Sequence, residues 1–71
     1  MTAKQEIKVM LARKGLTLKE LVTLLNEKHN RNDSLQNLSN KLNRDSIRYR
    51  EVEEIADVLG YEIEFKQKIN I

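Results

Sequence analysis

Apolar residues recur along the first sixty positions at intervals of three and four, the spacing that lines one face of a helix. Ala3, Ile7, Met10 and Leu11 make the first such run. It is preceded by Thr2-Ala-Lys-Gln5, a hydroxyl followed three residues later by an amide, which is the pattern of a capping box. Gly15 follows as a left-handed stop with Leu16 as its hydrophobic partner, so a helix is expected over Ala3–Lys14. Thr17-Leu-Lys-Glu20 repeats the capping pattern at once, and Leu21, Val22, Leu24 and Leu25 continue it as a second helix from Leu18 to Asn26 or slightly beyond. Glu27–Asn32 has no apolar residue and reads as a polar loop, with room for one extra turn of the second helix at its start.

The stretch Asp33–Arg44 has a narrow stripe of Leu35, Leu38 and Leu42, which predicts a third helix over Ser34–Asn43 capped by Asn32 or Asp33. Ile47 plugs the core from a short connection. Val52, Ile55, Ala56 and Leu59 then mark a fourth helix over Tyr49–Leu59, closed by Gly60, with Glu51, Glu53, Glu54 and Asp57 mostly on its other, solvated side. After Gly60 the period changes to two: Tyr61-Glu-Ile-Glu-Phe-Lys66 alternates apolar and charged residues as a strand does. A lone strand leaves its backbone groups unpaired. A homodimer joined by this strand, with Tyr61, Ile63 and Phe65 at the interface, is therefore expected.

The chain of 71 residues is one domain near the lower limit for a self-sufficient core. With no cysteine, neither a disulfide nor a thiolate metal site staples it. No apolar run is long enough to span a bilayer and nothing resembles a signal peptide, so a cytoplasmic location and no membrane partner are expected. The net charge of +2 is unevenly spread: residues 1–33 and 34–50 each carry +3, and residues 51–71 carry −4. A basic half suits a polyanion, because each phosphate neutralised releases condensed counterions.

The polar face of the third helix carries Gln36, Asn37, Asn40, Lys41 and Arg44 without a glutamate. Amides and cations are the side chains that read base edges and grip phosphates. The leucines and Ile55 are core positions. His29 sits in a polar stretch as a solvated residue, and no nucleophile–base pair, glycine-rich phosphate loop or metal-ligand cluster is apparent. No enzyme activity, cofactor, metal or small-molecule ligand is expected.

Leu16-Thr-Leu-Lys-Glu-Leu-Val-Thr-Leu-Leu25 resembles the first half of the helix-turn-helix in Cro/C1-type (XRE-like) repressors. Asn37-Leu-Ser-Asn-Lys-Leu-Asn-Arg44 resembles the recognition helix of small phage-related members, and Ile55-Ala-Asp-Val-Leu-Gly60 resembles the helix that follows. The chain departs from that pattern at Val22, where a small alanine is usual, at Asn26, where the turn has glycine, and in the longer polar segment Glu27–Asn32.

The resemblance implies a mainly α, four-helix, lambda-repressor-like domain with a helix-turn-helix over 17–43 and the third helix in the major groove of double-stranded DNA. It makes Ser34, Gln36, Asn37, Asn40 and Lys41 the expected base contacts. Arg44, Arg48 and Arg50 become phosphate clamps, joined by Thr17 and Lys19 at the start of the second helix. The function so implied is a transcriptional regulator of the repressor type. The alternatives are a protein-interaction module that keeps this fold and works through acidic helix 4 and the strand, and an RNA binder, which would need more exposed aromatics than Tyr49, Tyr61 and Phe65.

Overall fold

The computed structural model describes residues 2–69 and consists of four helices: α1 (Ala3–Lys14), α2 (Leu18–His29), α3 (Leu35–Asn43) and α4 (Tyr49–Val58). None of the described helices is long and apolar enough to cross a membrane. The N-termini form as their sequences dictate. Thr2 Oγ1 accepts from the Gln5 N–H while Gln5 Oε1 accepts from the Thr2 N–H, and Thr17 and Glu20 make the same reciprocal pair. At α3 the cap is Ser34, whose Oγ accepts from the Asn37 N–H at 3.1 Å, in place of Asn32 or Asp33.

All four C-termini close in the same way. Gly15, Asn30, Asp45 and Gly60 take positive φ angles of 66°, 51°, 54° and 81°. The N–H of the residue after each one reaches back to the carbonyl five positions earlier: Leu16 to Leu11, Arg31 to Asn26, Ser46 to Lys41 and Tyr61 to Ala56. These are Schellman closures, which satisfy carbonyls that the helix itself cannot. The chain's two glycines take two of the left-handed positions, and Asn and Asp, the side chains that best tolerate that conformation, take the others.

The core is formed by Ile7 and Leu11 of α1, Leu21, Val22 and Leu25 of α2, Leu38 and Leu42 of α3, and Ile55, Ala56 and Leu59 at α4. Met10, Leu16, Leu18, Ile47, Val58 and Tyr61 pack around it. Leu35 does not join them. It opens α3, where no preceding turn covers it, and it is 41% exposed. Val22 is buried without difficulty among these side chains.

The segment Glu27–Asn32 takes the extra turn it had room for: α2 continues through His29, and the connection to α3 spans residues 30–34. Two sequence-based expectations need correction. The acids of α4 are not all solvated: Glu53 and Asp57 are exposed, but Glu51 and Glu54 are half-buried, and Glu51, Glu54 and Asp57 face cations on neighbouring elements. Most consequentially, residues 61–69 form no strand. Tyr61 is anchored by its N–H bond to Ala56 and by the Lys14 ammonium 5.4 Å above its ring. Phe65 stacks on Tyr49 with ring centroids 6.3 Å apart, so the tail runs back towards the start of α4. Alternation gives the segment an apolar edge, but no second strand among the described residues offers the backbone partners that a ladder needs.

Candidate nucleic-acid interface

Leu38 and Leu42 dock α3 against the core, which turns Gln36, Asn37, Asn40, Asn43 and Arg44 towards the opposite, outer side. Gln36 Nε2 donates to Asn40 Oδ1 at 3.1 Å, an i,i+4 pair that holds two amides side by side and leaves further donors and acceptors free. Asn37 is exposed beside them. No carboxylate lies in α3.

Of the other expected base contacts, Ser34 uses a hydroxyl lone pair to cap α3 and keeps its own O–H to donate. Lys41 is placed differently. Its ammonium is 2.6 Å from Glu51 Oε2, tied to α4, so a base contact would have to break that pair. Thr17 is likewise occupied as a cap, with its O–H available. Lys19, Arg44, Arg48 and Arg50 are exposed, and no ion pair among the described residues holds them. Tyr61 is half-buried in the core's margin, whereas Ile63 and Phe65, the other expected interface residues, are 38% and 84% exposed.

The electrostatics are set by α4. Glu51, Glu54 and Asp57 recur every three residues and meet Lys41, Arg31 and Lys28 respectively, the Arg31–Glu54 contact being 2.7 Å. Burial pushes the Glu51 carboxyl up, but hydrogen bonds from the Lys41 ammonium and the Arg48 N–H outweigh it and hold the group below its ordinary value. The hydrogen bond from Lys28, helped by its charge, lowers Asp57 in the same sense. Glu54 chiefly, through a hydrogen bond and its charge, raises the Arg31 guanidinium, which also lies 3.7 Å from Asp33. Three acids are thus matched by three cations from α2, α3 and the connection between them.

Between α2, α3 and α4 lies an open cleft of about 730 Å³, with Asn37 and Lys41 on one wall and Arg48 and Arg50 on another. His29, in the last turn of α2, also lines it; its Nε2 is shielded from solvent and has no hydrogen-bond partner. Asn26 also lines the cleft and does more. Its Nδ2 donates to the Asp33 carbonyl and its Oδ1 accepts from the Asp33 N–H, both at 2.9 Å. One side chain of α2 therefore clamps the residue just before the α3 cap.

Sequence reasoning missed four of these features. Asn26 was read only as the usual site of a turn glycine. Arg31 falls in the polar segment, and its partner Glu54 lies 23 residues away, so no local signal marks the pair. Leu35 was read as core, and Asn43, which accepts from the Lys4 ammonium at 2.7 Å, was not singled out.

A domain-family comparison decides the classification, since the family's model covers residues 1–63, all four helices included. The chain belongs to the DUF6471 family. DUF6471 is described as a domain of unknown function, so membership assigns no activity. Comparisons with curated proteins and with solved structures find no match.

Proposed function

We propose that this chain is a sequence-specific double-stranded DNA-binding protein, a regulator of the Cro/C1 type that acts in the cytoplasm and inserts α3 in the major groove. The observation that carries this reading is the outer face of α3, with paired and free amides at Gln36, Asn37 and Asn40 and no carboxylate, flanked by Arg44, Arg48 and Arg50, which no ion pair among the described residues holds. Gln and Asn bond adenine bidentately at N6 and N7, and exposed Leu35 at the start of the helix suits a thymine methyl. Arg48 and Arg50, on the wall of the cleft beside α3, suit the phosphates of the strand flanking that groove. Lys41 stays with Glu51 and serves α3 by bracing it against α4.

The protein-interaction alternative would work through the acids of α4. Three of those acids are engaged with Lys28, Arg31 and Lys41, which leaves that face little free charge to offer.

The test is selection of bound duplexes from a random pool, followed by gel shifts with variants. Gln36→Ala is expected to relax the sequence preference, and Arg48→Ala to weaken binding to all sequences alike. No enrichment of any site, together with no shift of non-specific duplex at low salt, would overturn the proposal.

A further inference from the structure

Two surfaces remain that DNA binding does not use. One is an apolar groove of about 540 Å³ with Ile7, Leu11, Leu16, Leu18 and Leu42 along its floor and sides and with Lys4 and Lys8 at its rim. The other is the tail, whose Ile63, Phe65 and Ile69 are 38%, 84% and 100% exposed and alternate with Glu62 and Glu64. Large apolar side chains set so close together on the outside of a small domain mark an interaction site.

We infer that the two belong together across copies: the segment Glu62–Phe65 of one chain lies in the α1–α3 groove of a second, and the exchange is reciprocal. Charge and spacing both support this pairing. Lys4 and Lys8 are one helical turn apart, about 6 Å along α1. Glu62 and Glu64, two residues apart in extended backbone, are separated by about 6.7 Å, so each acid meets one cation while Ile63 and Phe65 turn to the leucines. The groove cannot take the tail of its own chain in the observed path. Its lining comes from α1, α3, the residues that join α1 to α2 and Leu18 at the start of α2, with none from α4. The tail instead follows α4 back to Tyr49. Gly60, at φ 81°, and the Tyr61 anchor supply the point from which it swings out.

A reciprocal exchange closes on itself as a two-fold dimer, whereas a one-way exchange would run on into filaments. The dimer needs no ladder, only side-chain burial in a preformed groove. It also stands apart from DNA binding, because it is read without DNA.

Sedimentation equilibrium of the full chain tests it, with circular dichroism to confirm that each variant is folded. The wild type is expected to show a concentration-dependent monomer–dimer equilibrium. The double variants Lys4→Glu/Lys8→Glu and Glu62→Lys/Glu64→Lys should each weaken dimerisation by about tenfold or more. Mixed together they should restore it, since the reversed tail then faces the reversed groove and the native tail the native groove. The tail pair lies outside every helix, so it reports even if the groove pair fails to fold. Phe65→Ala should also weaken the dimer. A chain that stays monomeric at several hundred micromolar, a dimer indifferent to both charge reversals, or a mixture of folded variants that does not recover, would each overturn the inference.

Discussion

Gly15, Asn30, Asp45 and Gly60 each turn left-handed to end a helix, which costs glycine no steric strain and places what strain there is on Asn30 and Asp45. A Cβ at Gly60 would meet only the Lys14 ammonium at 3.6 Å, an ordinary contact with a flexible group. The cost of Gly60→Ala is therefore the left-handed backbone itself, about 1–2 kcal/mol in urea unfolding. Asp45→Gly runs the other way and should be neutral to stabilising by up to about 1 kcal/mol. Glu51 sets a pH dependence. Its folded carboxyl titrates below its unfolded value, so its contribution is complete above the unfolded pKa of about 4.3 and is lost as pH falls through the folded one. The slope of unfolding free energy between those two values should be shallower in Glu51→Gln.

At the scale of elements, the helices were legible because their ends are written in local chemistry. Thr2 with Gln5, Thr17 with Glu20, Gly15 and Gly60 each satisfy backbone groups within a few residues of themselves, and such signals survive in a bare sequence. What was not legible depends on distant partners. The tail's alternation between Tyr61 and Lys66 is real, yet a strand is a property of two segments, and only the amphipathic edge is local. The acids of α4 looked solvated because Lys28, Arg31 and Lys41 lie 10 to 29 residues away in sequence. The same holds at the candidate interface: the amide face of α3 was evident from spacing, and the capture of Lys41 by Glu51 was not. The α2–α3 connection belongs to this scale too. Asn26→Ala removes both bonds to Asp33 and should cost about 1–2 kcal/mol in thermal unfolding, more than Asn32→Ala in the same connection.

For the whole molecule, ion pairing sorts the cations into those spent internally and those left outward. Lys28, Arg31 and Lys41 are spent; Lys19, Arg44, Arg48 and Arg50 are not. If those four meet phosphates, the logarithm of duplex affinity should fall against the logarithm of salt with a slope of roughly −3.6 per chain, and Arg48→Ala should lessen it by about 0.9. A slope near zero would contradict the assignment of these four residues to the DNA backbone.

The two bonds from Asn26 to Asp33 have a kinetic counterpart. Asp33 is an exposed residue in a short connection, where amide protons ordinarily trade with solvent quickly. Its own N–H is nevertheless held by the Asn26 side chain, so this proton should exchange far more slowly than those of Asn32 and Ser34 beside it. The exchange rate of this single amide would measure how often the tie between α2 and the start of α3 opens.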